Sequence, residues 1–99
     1  MVRHIVIWNY KDGFTEAENK ENALKAKAEL EALAQMIDGI AELKVYINEL
    51  SSSNKDLVLN SLFESEEALA AYQIHPEHLR VAAFVASVVQ DRVCIDYHE

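Results

Sequence analysis

Residues that build disulfides, metal clusters and flexible loops are scarce in this chain. It has one cysteine, Cys94, one proline, Pro76, and two glycines among its 99 residues. A single cysteine excludes an internal disulfide and a cysteine-rich zinc site. Two glycines exclude the glycine-rich loops that hold nucleotide phosphates. We therefore expect a fold that needs no metal and no organic cofactor, in the reducing setting of the cytoplasm.

Basic residues are also few, because nine Lys and Arg stand against 17 Asp and Glu, for a formal net charge of −8. An acidic chain without a basic run is a poor partner for nucleic acid or for an anionic membrane. No apolar run approaches membrane length, and the start of the chain has the pattern of a strand rather than of a secretory signal. The length predicts one domain, 1–99. The 51% hydrophobic content indicates apolar surface that is buried in an oligomer or lines a pocket.

The order of the strand and helix patterns predicts a β-α-β-β-α-β fold. Alternating side chains indicate a first strand, and a Thr15-x-x-Glu18 capping box begins a helix that we expect to end at Gly39. The remaining predicted elements are strands 40–50 and 56–63, a helix that Ser65 caps, a second helix from Pro76 to about Val89, and a strand 92–98. This order is that of the ferredoxin-like α+β fold, an antiparallel four-stranded sheet with helices on one face.

The first strand is apolar on both faces near its centre, although helices can cover only one of them. One face carries Val2, His4, Val6, Trp8 and Tyr10. We expect this face to be covered by a second copy of the chain. Two sheets packed face to face would form a barrel-like homodimer with a pocket between them.

Three segments carry a resemblance to a known family. They are "RHIVIWNYKDGFTEAE" at the start, "AYQIHPEH" after the third strand and "VCIDY" at the end. They resemble the stress-responsive A/B barrel domain (Dabb) family over the whole chain. The resemblance implies a dimeric α+β barrel with a cavity between sheet and helices, for which Val6, Trp8, Ala23 and Ala26 are the expected lining.

One plant branch of this family contains a polyketide cyclase, which closes a linear poly-β-keto thioester by an intramolecular aldol step. Its motifs map onto four positions of this sequence, so the resemblance implies the same polar set here: His4, Tyr72, His78 and Asp96. Ala23 and Ala26 stand where the cyclase has bulky aromatic residues. The resemblance therefore does not extend to the plant substrate.

Each of these four residues has a chemical and a structural interpretation. Pro76 makes His78 the third residue of a helix, whose positive end should lower the histidine pKa and keep the ring neutral. A neutral imidazole can take a proton from a carbon acid, and a buried Tyr72 can donate to the oxygen that becomes negative. His4 and Asp96 would orient the base from neighbouring strands. The structural alternatives are an inert helix histidine, a core tyrosine, a packed strand histidine and a solvated carboxylate.

The other rare residues favour structural roles. His75 precedes Pro76 and is expected to cap the helix. The His75-x-x-His78 spacing lacks a third metal ligand, so we predict no metal site. Cys94 has no visible activating neighbour and is expected to be a buried, unreactive thiol.

Two functions of different classes fit these observations. The first is the binding of a small apolar carbonyl-type molecule in the cavity, with cofactor-free acid–base chemistry of the aldol or cyclase type. The second is a non-catalytic dimer that binds a small hydrophobic molecule or is associated with stress. A cofactor-free monooxygenase or haem-degrading barrel ranks last, because the histidines have no haem-ligand setting. The sequence leaves open whether the chain is an enzyme.

Overall fold

The computed structural model describes the whole chain, Met1–Glu99, and has the predicted ferredoxin-like α+β fold. Its elements are β1 (Val2–Tyr10), α1 (Glu16–Ala32) with a 3-10 turn (Leu33–Gln35), β2 (Ile40–Ile47), β3 (Leu57–Phe63), α2 (Glu66–Ile74), α3 (Pro76–Val88) and β4 (Val89–His98). The four strands are antiparallel in the order β2-β3-β1-β4. No helix has both the length and the apolar character that crossing a membrane requires.

Local capping explains where the helices begin. Thr15 and Glu18 form the predicted capping box, in which the Glu18 N–H donates to the Thr15 hydroxyl at 3.1 Å and the Thr15 N–H donates to the Glu18 carboxylate at 2.9 Å. His75 ends α2 and caps α3, because its Nδ1 accepts from the Glu77 N–H at 3.0 Å. Pro76 then begins α3 at a position where no backbone N–H is needed.

Three boundaries differ from the sequence prediction by three residues or more. Helix α1 ends at Ala32, so Gly39 does not cap it but directly precedes β2, with a φ of +88°. Strand β2 ends at Ile47 rather than at residue 50. Strand β4 begins at Val89, directly after α3, rather than at residue 92. The sequence pattern does not show this start, because Asp91 with a φ of +57° and a register shift between Ile7 and Asn9 interrupt the alternation there.

The helices cover the face of β1 that was expected to meet a second copy. Val2, His4, Val6 and Trp8 are all buried beneath the helices, so that expectation was wrong. The opposite face has no helix over it. We call it the bare sheet face, and its apolar side chains are Ile5, Ile7, Tyr46, Val58, Leu62, Val93, Ile95 and Tyr97. Since both faces of β1 are apolar, the pattern alone did not distinguish the two.

One pair of side chains covers part of the outer edge of the sheet. Lys27 and Glu31 lie one turn apart on α1 and bond to each other at 2.7 Å. The Lys27 ammonium also donates to the Val45 carbonyl at 2.6 Å, and the Glu31 carboxylate accepts from the Val45 N–H at 3.0 Å. Because β2 is an edge strand, these contacts satisfy backbone groups that would otherwise be unpaired.

Candidate functional site

A cavity of about 220 Å³ lies between the helix-covered face of the sheet and the helices. Most of its lining is apolar, with Val6, Trp8 and Leu30 among the side chains. Four polar residues also line it: His4, Tyr72, His78 and Arg92. A larger open groove of about 810 Å³ runs along the loop after β2, but it contains none of these four. The smaller cavity is therefore the candidate site.

His78 lines this cavity and has one ring nitrogen without a proton. Its Nδ1 lies 3.1 Å from the Gln73 carbonyl, which can only accept, so Nδ1 carries the proton and Nε2 has the lone pair. Burial lowers the pKa of His78 from 6.5, the Gln73 carbonyl opposes this shift, and the charges of His4, Arg92 and His75 add to it. The ring is neutral at pH 7, as expected, although burial rather than the helix end is the first cause.

Tyr72 places a hydroxyl inside the protein without a partner. The side chain is 1% exposed, and its oxygen makes no hydrogen bond. Its ring lies 4.2 Å from the His78 ring, measured between centroids. Burial raises the pKa of Tyr72 to about 12, against a smaller opposing effect of Arg92. The hydroxyl therefore stays protonated and is free to donate to an oxygen atom of a ligand.

His4 and Asp96 face each other across neighbouring strands. The register of β1 and β4 pairs the two residues directly, and the His4 Nδ1 is hydrogen-bonded to the Asp96 carboxylate. His4 is buried and lines the cavity, with its ring 6.4 Å from that of Tyr72. Asp96 is 39% exposed and does not line the cavity. Asp96 thus orients His4 rather than His78, and the His4 Nε2 is left without a protein partner.

The expected apolar lining is found only in part. Val6 and Trp8 line the cavity, whereas Ala23 and Ala26 do not. Both alanines are fully buried in the core beneath α1. Leu30, further along the same helix, provides the lining instead.

Sequence reasoning missed Arg92 and misjudged Cys94. Arg92 lines the cavity from β4 and belongs to none of the salt bridges of the molecule. Cys94 is exposed rather than buried, with its Sγ 3.8 Å from the His4 Nδ1 and 3.7 Å from an Asp96 oxygen. Partial burial and the charge of Asp96 raise the pKa of this thiol. The alternation of the last strand already places Cys94 on the face of Asp96, and two residues further back it would have placed Arg92 there as well.

Sequence comparison identifies the family of this chain. The family model of the stress responsive A/B barrel domain matches residues 2–99. The chain belongs to the stress-responsive A/B barrel domain family. This confirms the resemblance that the sequence motifs suggested.

Two curated relatives of this A/B barrel domain come from Arabidopsis thaliana. The stress-response A/B barrel domain-containing protein HS1 is 29% identical over 96 residues, which are 97% of this chain and 87% of HS1. The stress-response A/B barrel domain-containing protein DABB1 is 27% identical over 97 residues. Those residues are 98% of this chain but 46% of DABB1, so the chain spans about half the length of that relative.

Solved structures share the fold of this A/B barrel domain. A dimeric protein of unknown function with a ferredoxin-like fold from Bacteroides fragilis has a TM-score of 0.92 and 28% identity, and the match covers 99% of this chain and 95% of that one. A hydroxynitrile lyase from Passiflora edulis has a TM-score of 0.77 and 19% identity, with 97% of this chain and 90% of that one covered. At 19% identity, the similarity to the hydroxynitrile lyase shows a shared fold alone.

Proposed function

We propose that this A/B barrel domain binds a small apolar molecule with a carbonyl group and acts on it by cofactor-free acid–base chemistry. The observation that carries the proposal is the unpartnered hydroxyl of Tyr72, buried beside the neutral imidazole of His78. A buried hydroxyl without a hydrogen bond costs stability. A ligand oxygen in the cavity would supply the missing partner.

The size and lining of the cavity define the ligand class. Its volume of about 220 Å³ lies below the range of about 300–1,000 Å³ that is usual for drug-sized ligands. We therefore expect a small ligand, or one whose end projects into solvent. Val6, Trp8 and Leu30 favour an apolar body, and the donor groups of Tyr72 and Arg92 favour a carbonyl oxygen.

The proposed chemistry begins with the transfer of a proton. The His78 Nε2 takes a proton from the carbon next to the ligand carbonyl, while the Tyr72 hydroxyl donates a hydrogen bond to the oxygen that becomes negative. The positive charge of Arg92 at the cavity favours the same enolate. In an aldol step, the enolate carbon then bonds to a second carbonyl carbon, whose C=O double bond becomes a C–O⁻. That oxygen takes the proton back from the His78 imidazolium.

His4 and Asp96 have a supporting role in this proposal. Because the His4 Nδ1 is hydrogen-bonded to the Asp96 carboxylate, the His4 Nε2 is the ring nitrogen left to contact a ligand. It can hold a hydroxyl of the ligand and so fix the carbonyl against Tyr72. Asp96 acts through His4 and is a positioning residue.

Hydrogen–deuterium exchange tests the proton transfer directly. A short alkyl methyl ketone is incubated with the protein in D₂O, and loss of the α-proton signal is followed by NMR. We expect acceleration by the unmodified chain, a loss of about 10²–10⁴-fold in His78→Gln and a loss of about 10²–10³-fold in Tyr72→Phe. The control is His98→Gln, whose exposed ring lies outside the cavity. Exchange that survives His78→Gln would remove His78 as the base.

A non-catalytic binding protein is the second candidate, since the orphaned Tyr72 hydroxyl requires only a bound oxygen. In that case the ketone raises the melting temperature, Tyr72→Phe reduces the rise, and no exchange is accelerated. The same pair of measurements therefore separates the two functions.

We also propose that the chain forms a homodimer through the bare sheet face. Tyr46, Val93, Ile95 and Tyr97 on that face are each between 44% and 59% exposed in the single chain. Apolar surface on this scale marks an interaction site. Dimeric proteins are among its structural neighbours, and a second copy of the same face is the partner that this supports.

A further inference from the structure

Three potential metal ligands converge on the helix side of the sheet, at the edge that β4 forms. Cys94 and Asp96 are two residues apart on β4, so their side chains point to the same face. The strand register places His4 directly opposite Asp96 on β1. One nitrogen, one sulfur and one carboxylate oxygen from these residues all lie within 4.8 Å of one another.

The distances between the three atoms are close to those of a tetrahedral metal site. Zinc bonds of about 2.0–2.1 Å to nitrogen or oxygen and about 2.3 Å to sulfur separate a sulfur from a nitrogen or oxygen ligand by about 3.6 Å. The Cys94 Sγ lies 3.8 Å from the His4 Nδ1 and 3.7 Å from the Asp96 oxygen. The His4 Nδ1 and the Asp96 carboxylate oxygen are directly hydrogen-bonded. On binding a metal they would move apart to about 3.3 Å, the nitrogen–oxygen separation in a tetrahedral zinc site. The exposed side chain of Asp96 would have to rotate for this.

The surroundings leave room for a fourth ligand. Cys94 and Asp96 are exposed, whereas His4 is held by packing against Phe63 and Tyr72. One ligand is therefore fixed, two are accessible, and water can complete the shell. The strong negative charge of the chain, −8, favours a cation, whereas the positive charge of Arg92, which acts on the Cys94 thiol, opposes it.

From this geometry we infer that His4 Nδ1, Cys94 Sγ and the Asp96 carboxylate form a binding site for a divalent transition-metal cation of the Zn²⁺ class. The mixture of nitrogen and sulfur ligands favours Zn²⁺ or Co²⁺ and disfavours Mg²⁺ and Ca²⁺, which prefer oxygen. The site shares His4 and Asp96 with the proposed catalytic set but does not rest on it. Metal binding is measured without any substrate.

Titration with Co²⁺ tests the inference, because a cobalt–thiolate bond gives an absorption band that other ligands do not. We expect one Co²⁺ per chain with a thiolate charge-transfer band, displaced by one equivalent of Zn²⁺. Cys94→Ser should remove the band and weaken binding by more than about tenfold, the loss that even changes in outer-shell partners produce. Asp96→Asn should weaken binding by a similar factor. Both variants change exposed side chains, so the fold is expected to be retained, as circular dichroism can verify.

Two further variants distinguish this site from adventitious surface binding. Arg92→Gln removes the opposing positive charge and should tighten binding several-fold. His98→Gln removes an exposed histidine that contacts Glu66 and should change nothing. A Co²⁺ spectrum without a thiolate band, or equal affinity in Cys94→Ser and the unmodified chain, would overturn the inference. Loss of affinity in His98→Gln alone would assign the metal to the surface pair instead.

Discussion

Tyr72→Phe should make the ligand-free protein more stable while it impairs binding. The variant removes one oxygen atom and leaves the ring that packs against Phe63 and His78. That oxygen is buried and has no hydrogen-bond partner, and such a group costs about 1–3 kcal/mol. The variant keeps the ring and creates no cavity as large as a methyl group. We therefore expect the free energy of unfolding to rise by about 1–2 kcal/mol. For a domain of this size, each kcal/mol corresponds to about 4–8 °C in melting temperature.

The assay is thermal and urea unfolding at one fixed protein concentration, with and without a saturating alkyl methyl ketone. At a ligand concentration of 100 times Kd the unmodified protein gains about 2.7 kcal/mol, whereas Tyr72→Phe gains less because it lacks the donor. Addition of ligand should therefore reduce or reverse the difference in unfolding free energy between Tyr72→Phe and the unmodified protein. Tyr10→Phe is the control, with a change within about 0.5 kcal/mol, because its hydroxyl is not among the buried unpartnered atoms. Destabilisation of the ligand-free Tyr72→Phe protein by 1 kcal/mol or more, an order-of-magnitude threshold from the same cost, would refute the reasoning.

Three further predictions concern protonation, association and the backbone. Burial lowers the pKa of His78 below 6.5, so the contribution of this residue to stability is complete above pH 6.5 and is lost as the pH falls through the folded pKa. In His78→Gln, the free energy of urea unfolding should therefore depend less on pH over that range. Ile95→Lys should convert a sedimenting dimer into an 11.2 kDa monomer because it charges the bare sheet face, whereas Ile74→Lys, 76% exposed on a helix, should leave the dimer intact; a monomeric unmodified chain would contradict this. Gly39→Ala should destabilise the protein more than Gly13→Ala. Both glycines have a positive φ, but only at Gly39 does an added Cβ meet a side-chain carbon, at 2.7 Å. Equal losses of unfolding free energy in chemical denaturation would show that the backbone strain of positive φ alone decides the effect.

The strand and helix order could be predicted because its signals are local. The capping box at Thr15 and the break at His75-Pro76 are written in adjacent residues, and the structure has both. The start of β4 could not be predicted in the same way. Asp91 adopts a left-handed conformation there, and the resulting bulge breaks the alternation on which strand prediction depends.

The candidate site was predicted in part for similar reasons. The family motifs led to Tyr72, His78, His4 and Asp96, and the structure brings the first three to one cavity with Asp96 behind His4. The sequence did not reveal which face of β1 meets the helices, because apolar residues occupy both faces. It also did not reveal that the alanines of α1 are buried in the core away from the cavity, since that depends on tertiary packing. The chemical roles of the four residues stay predictions.

The contacts of Lys27 and Glu31 with Val45 have a consequence for how copies of the chain assemble. An uncovered strand edge can recruit another strand, which presents a new edge in turn, so growth along an edge has no natural end. Two copies that join through sheet faces instead use up both faces and stop at two. By occupying the backbone of β2 at Val45, the first helix works against open-ended growth on its side of the sheet. The bare sheet face is then the surface through which a dimer, which does not grow further, can form.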